Sequence, residues 1–374
     1  MTVDTKLIVG FLLAAAMVSG AFAKSTDLIL KSANRNINTM SGDELIAVLE
    51  GNVVFLYDDA VIKSEYAKWW KSKGMVHFSN RVHVSKKEQE LFCDRLDYDK
   101  NKKWLVADGN VDFFDAKEKT RLRGKHADYY PDTKYIKLTG KPEFMYYDTA
   151  AHDTLVIHGE FMSYDDSLKL AEVDRKVTIE KGKLFTRCDT AKLFTETNRT
   201  LLRVSPQILF DKDSLAGDSI DLIFTNRALR GMSVDGNSHG MYRDFSRKDS
   251  MLTNVYGDSM YMALDDSGKV DSVWVYRNVK SSYCPVAHPD QANEAYGKVM
   301  VADFTKKGDL DNIKVWGNAK SVYHVEEGDK GCNTATGDSI AVEFSEGKAS
   351  RVMLAGSVRG YYAPEKVKEE KKHE

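Results

Sequence analysis

The sequence predicts an all-β protein. Three observations lead there: one short unit recurs along nearly the whole chain, apolar and charged residues alternate within it, and 18 Tyr, 16 Phe and 5 Trp occur with little helical patterning. A strand-like start repeats as Gly51-Asn52-Val53, Asn80-Arg81-Val82, Gly109-Asn110-Val111, Gly140-Lys141-Pro142 and Arg175-Lys176-Val177. It continues as Pro206-Gln207-Ile208, Gly236-Asn237-Ser238, Arg277-Asn278-Val279, Gly317-Asn318-Ala319 and Gly356-Ser357-Val358. Successive starts lie 29, 29, 31, 35, 31, 30, 41, 40 and 39 residues apart, so the chain reads as about ten repeats of 29–41 residues.

Each unit opens on alternation such as Val82-His83-Val84 or Val111-Asp112-Phe113, which gives a sheet one apolar face and one wet face. A small residue followed by an acid comes next, as in Ser64-Glu65, Cys93-Asp94, Gly159-Glu160, Cys188-Asp189, Gly217-Asp218, Gly257-Asp258 and Gly337-Asp338. Gly124-Lys125 and Gly297-Lys298 keep the same beat with a base. A further strand-like piece closes the unit, for instance Lys103-Trp104-Leu105-Val106 or Val273-Trp274-Val275. Joints such as Asp265-Asp266-Ser267-Gly268 turn the chain. One such unit cannot bury its apolar face alone, whereas a stack of them makes a continuous interior.

The ends read differently. Lys6, the apolar run Leu7 to Val18 and the small-x-small triplet Ala21-Phe22-Ala23 describe a signal peptide over residues 1–23, with an uncleaved anchor as the alternative. Export to an oxidising compartment is expected. A single repetitive domain is expected over 24–364, followed by a charged tail over 365–374.

Composition excludes several functions. Fifty-four basic residues against 56 acidic ones give a net charge of -2, so nucleic acid is not a partner. No nucleophile elbow, phosphate loop or dinucleotide fingerprint occurs, and the histidines lack metal-ligand spacing, so no catalytic residue, metal or cofactor is expected and the chain reads as no enzyme. The periodic acids share one environment and read as structural residues on a strand edge or on the wet face, whereas a catalytic pair needs two contrasting environments. Charged outward positions argue against a membrane barrel. A β-solenoid scaffold or surface protein is an alternative, and a polysaccharide-acting β-helix enzyme is a further one.

The repeated Gly-Asn-Val starts with their acid partners, and above all the stretch from Leu28-Ile29-Leu30 through Leu45 to Leu49-Glu50-Gly51-Asn52-Val53-Val54-Phe55, resemble the OstA/LptA family of lipopolysaccharide-transport proteins. The resemblance implies an elongated, open β-jellyroll, taco-like in section, whose apolar groove shields the acyl chains of lipopolysaccharide or a related lipid A-like glycolipid on the way through the periplasm to the outer membrane. It also implies end-to-end strand addition to other jellyroll proteins of the inner and outer membranes, or to further copies of the chain. The residues placed in the groove are Val53, Phe55, Val82, Val84, Val111, Phe113, Phe144, Val177, Ile179, Ile208 and Phe210. At ten units the chain is roughly double the length of the short bridge proteins of that family.

Four cysteines remain. Cys93 and Cys188 hold the same position three units apart, about 14 Å at one strand spacing per unit, and are expected as buried thiols. Cys284 and Cys332 lie in the extended segments of adjacent longer units, where a Cys284–Cys332 disulfide is expected in an exported protein, with four free thiols as the alternative.

Overall fold

The computed structural model describes residues 28–364, save 58, 131, 150–151, 195, 226–227, 245–249, 308, 326–330 and 346–347. The signal peptide and the charged tail expected at the two ends lie outside the described residues. Strands run throughout, with one 3-10 turn at Pro289–Gln291 among the described residues. The expected all-β fold is present, and its pairings are antiparallel. Where the repeat rhythm groups 24–364 together, packing divides the described residues into two compact units that meet at Val204 and Ser205.

In the first unit β1 (Ile29–Ser32) and β2 (Arg35–Ser41) both pair with β3 (Glu44–Tyr57). A meander continues through β4 (Ala60–Trp70), β5 (Met75–Lys86), β6 (Gln89–Asp99), β7 (Trp104–Asp115) and β8 (Thr120–Tyr130). Shorter strands extend it: β9 (Tyr135–Thr139), β10 (Glu143–Asp148), β11 (Asp153–His158) and β12 (Phe161–Asp165). The unit ends with β13 (Leu170–Lys181), β14 (Leu184–Phe194) and β15 (Arg199–Arg203).

The repeat landmark is a bend. Gly51-Asn52, Asn80-Arg81, Gly109-Asn110, Gly140-Lys141 and Arg175-Lys176 each place two consecutive residues in the left-handed region, with φ between 47° and 82°. The ladder slips at these points, for example between Glu50 and Val53 and between Asp108 and Val111. Two residues then face one, which kinks and twists the strand. The periodic acid is that facing residue. Asn110 Nδ2 donates to Asp94 Oδ2 at 2.9 Å, and Lys176 Nζ donates to Glu160 Oε1 at 2.8 Å. Gly109 is required twice over, by its φ of 72° and because a side chain there would collide with the Asp94 carboxylate. The acids are therefore structural, as expected, but they sit at mid-strand bends instead of at sheet edges. In the sixth unit the left-handed pair is Val204-Ser205, just before the expected start at Pro206.

The bends double the sheet onto itself. Trp69 is paired opposite Ala47, eight residues before Phe55, which is about 26 Å along a straight strand. Yet the Phe55 and Trp69 rings stand 5.4 Å apart, and Phe55 meets Phe78 edge-on at 5.2 Å. Residues before each bend form one wall, those after it the other, and the apolar faces meet.

The second unit repeats the design. It runs through β16 (Gln207–Phe210), β17 (Asp213–Ala216), β18 (Ser219–Thr225), β19 (Ala228–Asp244), β20 (Met251–Leu264) and β21 (Val270–Pro285). It closes with β22 (Asn293–Phe304), β23 (Leu310–Val325), β24 (Gly331–Ser345), β25 (Lys348–Ala355) and β26 (Arg359–Pro364). Its bends are Gly236-Asn237, Arg277-Asn278, Gly317-Asn318 and Gly356-Ser357. Asp218 and Asp258 accept from Asn237 and Asn278 there.

Candidate functional site: two interiors of unequal filling

The expected groove residues all lie on the apolar face. Val53, Phe55, Val82, Val84, Val111, Phe144, Val177 and Ile208 are buried, and Phe113, Ile179 and Phe210 are half-buried. In the first unit, however, that face is filled. Phe55 and Phe144 are 0% exposed, and the Tyr57 and Tyr98 rings meet across the walls at 5.2 Å. A cavity of about 80 Å³ lies in it, lined among others by Val84, Leu96, Val111, Phe113, Leu122 and Leu138. For scale, an engineered apolar cavity of about 150 Å³ binds benzene. The margin of the first unit's cavity is sealed by polar groups: Lys86 pairs with Asp59, and Gln89 Nε2 donates to Asp115 Oδ2 at 2.8 Å. Hydrogen bonding from Lys86 holds the Asp59 carboxyl below the usual carboxylate range.

The second unit is lined by smaller side chains. On the wall before the bends, Ile220, Val234, Met260, Val275, Met300, Val315 and Ile340 form one in-register row, buried throughout. The next inward row begins with buried Met232 and contains buried Ala302, but its Met262, Val273, Ile313 and Val342 are only partly buried, and Val352 is 55% exposed. The facing wall is made of small side chains. Ser238, Val279 and Ala319 are buried beside the bends, and Gly240, Ser281, Ala295, Ser321 and Ala335 stand two residues further out. The walls touch at Gly240, where an added Cβ would lie 3.7 Å from Met260 Sδ. Elsewhere the apolar row faces Val255 together with glycine, alanine and serine. Sequence reasoning placed no groove residue in these last units. The signal was present as the drop in side-chain size at the third position past each bend.

The outward faces are wet. Arg121 Nε donates to Asp112 Oδ1 at 2.7 Å, which lowers the Asp112 pKa, and Arg123 reaches Glu143 at 3.4 Å. His126 lies between Asp108 Oδ1 at 2.7 Å and Asp128 Oδ2 at 3.1 Å. Among the described residues no group of three or more His, Cys, Asp or Glu side chains is arranged to hold a metal ion, and no helix is long and apolar enough to cross a membrane.

The cysteine expectation divides. Cys93 and Cys188 are free and buried, and burial pushes both thiols up to about 12. The expected Cys284–Cys332 disulfide is absent, because both thiols are free. Cys284 is paired opposite Leu252 and Cys332 opposite His324, so β22 and β23 lie between β21 and β24. Three strand spacings come to about 14 Å, twice what a disulfide spans. The two segments lie in one sheet but are not neighbours.

These features define a class: an antiparallel β-repeat whose sheet doubles at left-handed bends around an apolar interior. No protein-family model matches the chain, and no curated protein matches it. Among solved structures it is similar to LptH, the LptA homologous periplasmic component of the lipopolysaccharide transport device of Pseudomonas aeruginosa. The TM-score is 0.19 and the identity 10%, over 38% of this chain and 79% of that one.

Proposed function

We propose that the chain is a non-enzymatic periplasmic carrier that shields the acyl chains of lipopolysaccharide, or of a related glycolipid, during transport to the outer membrane. The observation that carries this reading is that the inward residues Met262, Val273, Ile313 and Val342 are only partly buried and stand on the wall opposite mostly small side chains in the second unit. An apolar wall without an opposing wall of equal bulk is space for a flexible apolar guest. The sequence resemblance points to the same cargo. Energetics favour a half-open site: at about 0.8 kcal/mol per buried CH₂, dozens of fully covered methylenes would pass the roughly 20 kcal/mol ceiling of non-covalent binding and trap the cargo. Partners of similar fold would add strands at the exposed end strands, β2 on one side and β26 on the other.

Photo-crosslinking residues placed at Val273 and Ile313 test the reading. Lipopolysaccharide is expected on both. Capture only from the outward neighbours Trp274 and Lys314 would overturn it.

A further inference from the structure

We infer that the second unit carries a saccharide-binding row at the open end of its interior, which holds the sugar headgroup of a glycolipid while the apolar wall takes its chains. This rests on the carrier reading above. Tyr242 pairs with Thr253, Thr253 with Tyr283, and Tyr283 with Asn293. Asn293 lies one place past the Glu294–Val322 pair, abreast of Tyr323, which pairs with Asn333, and Asn333 pairs with Tyr362. Seven strands thus present tyrosine and a hydroxyl or amide residue in strict alternation. All seven lie on the same face as buried Ser238, Val279 and Ala319, two strand periods from the bends. The tyrosines recur at steps of 41, 40 and 39 residues, one per unit. Tyr242 and Tyr323 are 52% exposed and Tyr362 is 42% exposed.

An inward face that opens to water is expected to end in charges. This one ends in flat rings. A tyrosine offers an apolar ring with a hydroxyl at its tip, and threonine and asparagine add donors and acceptors beside it. The matching ligand has apolar C–H faces edged with hydroxyls, which describes a pyranose. Tyrosines on alternate strands repeat at about 10 Å, close to the length of a disaccharide, and the row spans about 29 Å. None of the seven carries a charge, which suits a neutral, hydroxyl-rich ligand. The corresponding row of the first unit, Lys86, Gln89, Asp115 and Thr120, is bridged by the Lys86–Asp59 ion pair and by the hydrogen bond that Gln89 Nε2 donates to Asp115. The sugar row therefore belongs to the unit whose interior is open.

The test uses the full mature chain with three probes: rough lipopolysaccharide, its deacylated core oligosaccharide and a dansylated fatty acid. Replacing Tyr283→Ala together with Tyr323→Ala is expected to weaken lipopolysaccharide binding about tenfold or more, by loss of two ring contacts. Binding of the fatty acid should stay unchanged, and the pair Tyr283→Phe with Tyr323→Phe should retain most lipopolysaccharide affinity. Unchanged lipopolysaccharide affinity in the alanine pair would overturn the inference. So would a parallel loss of fatty-acid binding, or free oligosaccharide binding as tightly as lipopolysaccharide. Failure of the unaltered chain to bind the fatty acid would instead sink the carrier reading, and this inference with it.

Discussion

The two units share one bend and differ in the side chains just beyond it. The third residue past the left-handed pair is Phe55, Val84, Phe113, Phe144 or Ile179 in the first unit, and Gly240, Ser281, Ser321 or Gly360 in the second. Two residues later the second unit has tyrosine every time, whereas the first has Tyr57, Lys86, Asp115, Tyr146 and Lys181. Backbone geometry and interior volume are thus written at separate positions of the repeat. The bend is made by two left-handed residues and the residue facing them, an acid in most repeats and a lysine in two, so side-chain size behind it is free to vary. One unit uses that freedom for a packed core and the other for space.

Core truncation should separate the units most. Phe55 is fully buried between Trp69 and Phe78, so Phe55→Ala should cost about 3–5 kcal/mol of unfolding free energy. Ile313 is half-buried against small neighbours, so Ile313→Ala should cost about 1 kcal/mol. Denaturant titration of both variants decides it. Equal losses would mean that the second interior is as tightly packed as the first.

Bend substitutions should bring the units back together. Gly109→Ala and Gly236→Ala each force a side chain into φ near 72° and against the carboxylates of Asp94 and Asp218. Each should cost about 1–3 kcal/mol. A loss confined to one of them would show that the bends do not share one design.

Filling the open interior tests its use directly. Ser281→Leu combined with Ser321→Leu adds apolar bulk opposite the half-buried row. Stability should change by no more than about 1 kcal/mol in either direction. Binding of a dansylated fatty acid should nevertheless fall about tenfold. Unimpaired binding would move the acyl site out of this interior.

Much of this was legible in the residues. Strand alternation and a repeat of 29–41 residues establish the antiparallel fold, and inward positions such as Val53 and Val111 are where alternation places them. The doubling of the sheet was legible only through the family resemblance, because Gly51-Asn52 by itself reads equally well as a turn before a strand and as a bend within one. What decides between them is pairing on both sides of the same residues, a non-local fact. The acids read as structural residues of a strand edge or the wet face, and their part in the bends was hidden for the same reason: Asp94 gains its bend contact only when Gly109-Asn110 stands across from it. Pairing likewise removes the Cys284–Cys332 bridge, since sequence shows two similar segments but not the two strands between them. The saccharide row is written in the sequence as tyrosines at steps of 41, 40 and 39, but their common face depends on the bends.

The smallest expected effect is electrostatic and belongs to the outward face of the first unit. His126 is flanked by Asp108 and Asp128, with Arg95 4.0 Å from Asp108 and Trp104 Nε1 donating to Asp128 at 3.2 Å. Partial burial works against the charged ring, but the hydrogen bonds to Asp108 and Asp128 outweigh it and raise the pKa above 6.5. Folding therefore favours the protonated ring. Its contribution is complete below the unfolded value of about 6.5 and fades as pH rises through the raised folded value. In the second unit the outward His239 meets the Asn254 amide at 3.0 Å and stacks on Tyr256, with no carboxylate as its hydrogen-bond partner there. Between about pH 6 and about pH 8.5 the melting temperature should decline slightly, and His126→Gln should flatten that decline. The change is small because the ring is partly exposed and solvent screens the pairs. Nuclear magnetic resonance titration of the His126 ring gives the direct reading, and a midpoint at or below 6.5 would remove the carboxylate pair as a source of stability.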